Sequence, residues 1–121
     1  MTMLLWAGAA LIGGAGSVLR FVVDGAVASR SGRSFPFGTL VVNLSGAILL
    51  GLIAGLALNH DEALLTGTAA VGSYTTFSTW MFESQRLAED RQLLNLAANV
   101  VVSLAAGFLA AALGRLVGSH L

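Results

Sequence analysis

The feature that most limits this chain is the spacing of its charges. Arg20, Asp24, Arg30, Arg33, Asp61, Glu62, Glu83, Arg86, Glu89, Asp90, Arg91 and Arg115 are the only charged side chains. Between them lie uncharged stretches at 1–19, 34–60, 63–82 and 92–114, which are 19, 27, 20 and 23 residues long. A helix needs about 20 apolar residues to cross the hydrocarbon core of a bilayer. Four such crossings use up nearly all of the 121 residues. The runs are continuously apolar rather than alternating, which favours helices over a barrel. The spacing therefore predicts an all-α integral membrane protein, one domain over residues 1–121, with helices near 3–24, 37–59, 63–85 and 92–117.

Composition closes off other classes. Only 10% of the residues are charged, against roughly 25% in a soluble domain. The absence of Cys excludes a disulfide scaffold, a thiolate metal site and a cysteine nucleophile. The formal net charge is zero, so there is no basic footprint for a nucleic acid. No nucleophile–base pair or metal-ligand cluster suggests an enzyme. Residues 1–19 contain no Lys or Arg, unlike the basic start of a cleaved signal peptide. Pro36 stands where a helix can begin, because its missing N–H costs nothing in the first turn.

Two helices carry rows at a spacing of four, which places each row on one face. The second has Thr39, Asn43, Ala47, Gly51 and Gly55; the fourth has Asn95, Asn99, Ser103, Gly107 and Ala111. Each row is polar at one end and small at the other. It serves either as a packing ridge with hydrogen bonds between helices or as a track of neutral donors for a small polar solute. Arg20 and Asp24 likewise admit two readings, a snorkelling interfacial pair or a charge drawing anions into a vestibule.

The third stretch holds Gly72-Ser73-Tyr74-Thr75-Thr76-Phe77-Ser78-Thr79-Trp80. Clustered hydroxyl residues and Gly weaken a helix, so the expectation is a broken third helix with free carbonyls, which suit a monovalent cation. The alternative is a continuous helix whose hydroxyls bond back to carbonyls four residues earlier. Phe77 and Trp80 share a face beside this segment. They are either core packing or a pair of positive ring edges for a small anion. Glu83 is an interfacial residue or a vestibule acid. His60 and His120 fall in a loop and at the end of the chain, and neither reads as a ligand.

These residues resemble the Fluc/CrcB family of fluoride channels. The resemblance rests on Gly13-Gly14-x-Gly16-x-x-x-Arg20, on Pro36-x-Gly38-Thr39-Leu40-x-Val42-Asn43, and above all on Gly72-x-x-Thr75-Thr76-Phe77-Ser78-Thr79 with Glu83. It implies a four-helix subunit that pairs antiparallel in the plasma (inner) membrane of the cell and passes fluoride out of the cytoplasm, protecting against its toxicity. It implies one structural sodium ion on the two-fold axis, bound by main-chain carbonyls that map to Gly72 and Thr75. It assigns Asn43 and Phe77 to the fluoride pathway, with Trp80, Thr39, Thr76, Ser78, Ser103 and Asn99 along it, and Arg20 and Glu83 towards the vestibules. The second aromatic and the helix-four track depart from the family pattern. Trp80 replaces a usual Phe, and Asn99 replaces a usual Tyr on the fourth helix, where Gly107 also replaces a hydroxyl residue.

Charge counting adds a further expectation. With four spans, Arg20, Arg30, Arg33, Arg86 and Arg91 fall on or near one side and Arg115 alone on the other. Positive charge favours the cytoplasm, whereas an inverted homodimer needs dual topology, with each copy inserting both ways. The bias points to a partner-dependent or non-conducting half of a heterodimer as the alternative to a homodimer. A small proton-coupled multidrug exporter is the remaining alternative. It requires a membrane-embedded carboxylate, and the first, second and fourth stretches have none.

Overall fold

The computed structural model describes residues 2–32 and 34–121. Arg33, used in the charge count, lies outside the described residues. The order is α1 (Met3–Ser31), α2 (Phe37–Leu56), α3 (His60–Ala63), a π-helix (Leu64–Val71), α4 (Gly72–Tyr74), α5 (Ser78–Glu89) and α6 (Leu93–Ser119). All elements among the described residues are helical. Three of them, α1, α2 and α6, are long and apolar enough to cross a membrane.

Helix α1 opens on Thr2, whose hydroxyl accepts from the Leu5 N–H at 3.1 Å, a side-chain cap for an orphan donor. It runs past residue 24, where the charges first suggest an end. Asp24 does not stop it; the half-buried Asp24 carboxylate packs against Gly38 of α2. The helix ends at Gly32, whose φ of 75° suits a residue without Cβ. Helix α2 follows Pro36 directly and stops at Ala57 in the left-handed region, short of the expected 59. Helix α6 extends to Ser119, beyond the expected 117.

Helices α2 and α6 form the tightest contact. A Cβ on Gly51 or Gly55 would strike the carbonyl oxygens of Ala111 and Arg115. One on Gly114 or Gly118 would strike those of Ile48 and Leu52. Each helix presents glycines to the other's backbone, the close approach that small residues allow between apolar helices. The small end of the row on α2 is thus a packing ridge. Helix α1 packs on the third segment in the same way, with Gly16 against Ser73 and Ala70.

The enclosed core is small: Leu87, Val42 and Asn99 are the largest fully buried side chains. Leu4, Leu11, Phe21, Leu94, Phe108 and Leu109 are exposed. Apolar surface on this scale requires lipid or a partner to cover it.

Candidate functional site

The third segment starts with Asn59, whose side chain accepts from the Glu62 N–H at 2.9 Å. Its hydroxyls bond back as Ser and Thr do in helices. Ser73 Oγ donates to the Ala69 carbonyl at 2.6 Å, and Thr75 Oγ1 to the Val71 carbonyl at 3.1 Å. At Thr75 the backbone becomes extended, with φ −77° and ψ 161°. Helical geometry resumes at Ser78. Among the described residues, no backbone N–H from 76 to 78 returns to the carbonyl four residues earlier. The carbonyls of Gly72, Ser73 and Tyr74 therefore lack their helical donors.

Asn43 takes over part of that bonding. Its Oδ1 accepts from the Thr76 N–H at 2.8 Å, and its Nδ2 donates to the Thr76 carbonyl at 2.8 Å. The side-chain amide thus pairs with both backbone groups of one residue. This also fixes which end of the amide is which: Oδ1 is held by a donor and Nδ2 by an acceptor, so a flip would break both bonds. One N–H of Nδ2 is left over. Thr76 Oγ1 then accepts from the Thr79 N–H at 3.2 Å and caps the first turn of α5.

An open cleft of about 590 Å³ runs beside this segment, lined by Asn43, Gly72, Thr75, Thr76, Phe77 and Trp80 among others. The Phe77 and Trp80 rings meet edge-to-face, with centroids 5.6 Å apart and planes at 70°. Phe77 is 70% exposed. Behind the segment a smaller pocket of about 200 Å³ is lined by Ser17, Arg20, Asp24, Thr39, Thr76 and Thr79. Thr76 borders both spaces. Arg20 Nη1 reaches the Thr75 carbonyl at 3.5 Å, and Thr39 Oγ1 donates to Glu83 Oε1. A third pocket, of about 370 Å³, holds Asp24, Thr79, Glu83 and Arg86.

The structure thus gathers most of the residues singled out from sequence. Asn43, Gly72, Thr75, Thr76, Phe77 and Trp80 share one cleft, and Arg20, Thr39 and Glu83 lie around the adjoining pockets. Ser78 is exposed next to Thr76. Ser103 is half-buried on α6 and lines none of these spaces. Asn99 does not line the cleft either. It is buried behind Trp80, whose Nε1 donates to the Asn99 carbonyl at 3.1 Å. Ser84 was not legible as a site residue. It is buried and accepts from Asn99 Nδ2 at 2.9 Å; its spacing of four from Trp80 was the available signal.

The family model for CrcB-like (Camphor Resistance) proteins matches residues 7–115. The chain belongs to the CrcB family. It is 66% identical to the fluoride-specific ion channel FluC 2 of Mycolicibacterium paratuberculosis, over 94% of this chain and 93% of that protein. It is 61% identical to FluC 2 of Mycobacterium tuberculosis, over 95% and 91%. It is 43% identical to FluC 1 of Frankia casuarinae, over 93% and 91%. The CrcB match spans the Asn43–Thr76 pair, the 75–77 interruption and, of the α2–α6 contact, Gly51, Gly55 and Gly114.

Proposed function

We propose that this CrcB chain is a subunit of a fluoride-selective channel that lets fluoride leave the cytoplasm down its gradient and so protects against fluoride toxicity. The observation that carries the reading is the interruption at 75–77, pinned by Asn43 and bordered by Phe77 and Trp80. Relatives named fluoride-specific ion channels supply the ion. On this reading residues 60–89 form one broken membrane span beside the three long helices, in a multi-pass protein of the inner (plasma) membrane.

Dehydration is the main barrier for fluoride, because the ion is small and strongly hydrated. A selective path must replace water with several compact donors, none strong enough to trap the ion. The free Asn43 N–H, the hydroxyls of Thr76 and Ser78 and the positive edges of Phe77 and Trp80 are partners of that kind. Among the described residues no charged side chain lines the cleft itself. Arg20, at the smaller pocket, would raise the local concentration of anions before entry.

The residues also fit the family's structural sodium. The Gly72 carbonyl has no helical donor, since the Thr76 N–H is diverted to Asn43. Among the described residues, the Thr75 carbonyl meets only the long contact from Arg20. Hard main-chain oxygens of this kind suit a monovalent cation. Gly72 and Thr75 from two antiparallel copies would hold it, and its charge would fasten the two interrupted segments together. The exposure of Phe77 and Gly72 supports a second copy covering this side.

A second reading, a heterodimer with an oppositely oriented relative, is favoured by the five-to-one Arg distribution. The deciding experiment is fluoride efflux from liposomes containing this protein alone, read with an electrode in sodium and in sodium-free buffer. Sodium-dependent fluoride flux without chloride flux is the expected result for an inverted homodimer. Folded protein without flux would reject the self-sufficient channel and turn attention to a missing partner.

A further inference from the structure

We infer that Ser84 and Asn99 are positioning residues that hold the Trp80 indole in one orientation against Phe77, through a closed ring of hydrogen bonds. The consequence for conduction rests on the proposal above that Trp80 borders the fluoride path.

The ring has three links. Trp80 Nε1 donates to the main-chain carbonyl of Asn99 at 3.1 Å. Asn99 Nδ2 donates to Ser84 Oγ at 2.9 Å. Ser84 Oγ donates to the Trp80 carbonyl at 2.8 Å. Two of the links cross from α5 to α6, and the third closes the circuit within α5. An indole has two side-chain torsions, and a hydrogen bond at its far corner restrains both. The same indole meets Phe77 edge-to-face at 5.6 Å. Orientation decides whether an aromatic ring attracts or repels an anion, because edge and face carry opposite partial charge.

Packing alone does not account for the amide. Asn99 is 1% exposed, and its Oδ1 has no hydrogen-bond partner among the described residues. A buried amide with one end unpaired is unfavourable compared with an apolar side chain of the same size. What Asn99 does that Leu could not is bond Ser84. Both polar side chains of the ring are shielded, with Ser84 6% exposed, so water does not compete for these bonds. Trp80 and Asn99 are thus joined to each other. Asn99, read from sequence as a track residue, becomes a support behind the wall rather than part of the surface.

The test uses the full chain in detergent and in liposomes. With Trp6→Phe, Trp80 is the only remaining tryptophan, and its indole N–H gives a single nitrogen–proton NMR signal. Ser84→Thr and Ser84→Val have the same shape, and only Thr keeps the hydroxyl. Ser84→Val removes two of the three links and leaves only the Trp80 Nε1 bond to the Asn99 carbonyl, so the less restrained indole proton is expected to exchange with solvent about tenfold faster, a change on the scale of one net hydrogen bond, while Ser84→Thr stays near the parent. Asn99→Leu should resemble Ser84→Val. Fluoride efflux should fall in the same order. Equal exchange rates for Ser84→Thr and Ser84→Val, whether slow or fast, would overturn the ring. Faster exchange with unchanged fluoride efflux would uphold the ring and overturn Trp80 as a wall of the path.

Discussion

The two ends of α2 meet their neighbours by opposite means. At one end Gly51 and Gly55 press against the backbone of α6, and Gly114 and Gly118 press back. That contact is apolar and leaves no polar group to satisfy. At the other end Thr39 and Asn43 reach across to Glu83 and Thr76 with hydrogen bonds. The first contact can tolerate almost no added volume. The second can tolerate almost no lost polarity. One row of residues at a spacing of four thus divides into a rigid half that anchors the bundle and a polar half that shapes the cleft.

Added volume at the rigid end should do the most damage. Gly114→Val puts atoms onto the Ile48 carbonyl, a backbone group that cannot turn aside. Overpacking typically costs about 1–3 kcal/mol, and here the relief must come from separating two helices. The expected outcome is loss of monodisperse protein on extraction, read by size-exclusion chromatography. Gly107 on the same helix has nothing near its added Cβ, so Gly107→Ala should be neutral or slightly stabilising, by about 0.5–1 kcal/mol. Equal damage from both changes would remove the glycine contact as the anchor.

Next in size is loss of polarity at Asn43. Asn43→Leu keeps similar volume but leaves the Thr76 N–H and carbonyl without their side-chain partner. Each unmet group costs up to about 1–3 kcal/mol where water is excluded, and water entering the open cleft that Thr76 borders offsets much of it. Fluoride efflux should fall by about a hundredfold or more, with helical content retained because α2 and α6 still pack. Thermal unfolding should shift less than for Gly114→Val. If Asn43→Leu unfolds the protein as completely as Gly114→Val, the two ends are not separable and the comparison fails.

A middle case lies between the two ends. An added Cβ on Gly46 would meet the Thr75 side chain rather than backbone, at the boundary of the interruption. Gly46→Ala should leave the α2–α6 contact intact and displace Thr75. The expected result is a stability loss of about 1–3 kcal/mol with a larger relative change in sodium dependence, because Thr75 carries one of the proposed carbonyl ligands. Unchanged sodium dependence alongside reduced stability would assign Gly46 to packing alone.

How much of this was legible beforehand follows from what each feature depends on. Charge spacing is a local property, so the long helices could be read from it directly. The cleft residues were legible because Gly72 to Trp80 form an unusual cluster of hydroxyls within an apolar run, and because Asn43 sits at a polar position on a helix face. The partnership of Asn43 with Thr76 was not, since 33 residues separate them and only packing brings them together. The end of α1 was misjudged because charge spacing shows Asp24 only beside Arg20, while its neighbour in space, Gly38, belongs to another helix. Asn99 was placed on a track by its spacing with Asn95 and Ser103. Spacing identifies a face, yet it cannot say whether α5 covers that face. Trp80 and Ser84 do cover it.

The smallest expected effect refines the polar end. Thr39 donates to Glu83, and both border pockets that adjoin the cleft. A carboxylate accepts only, so the Thr39 hydroxyl is a natural partner for it in a half-buried setting. Thr39→Val has the same shape and removes that donor; Thr39→Ser keeps the donor and removes a methyl. A hydrogen bond to a charged group contributes about 1.5–3 kcal/mol, and less where water can replace the donor. Glu83 faces an open pocket, so the lower figure applies and water recovers part of the loss. Thr39→Val should therefore slow fluoride efflux by only about three- to tenfold, while Thr39→Ser stays near the parent. Because Glu83 would still be anchored from its own helix, chloride should remain excluded in both. If Thr39→Ser is as slow as Thr39→Val, the methyl rather than the hydroxyl matters at this position, and this part of the polar end works by volume, as the glycine end does.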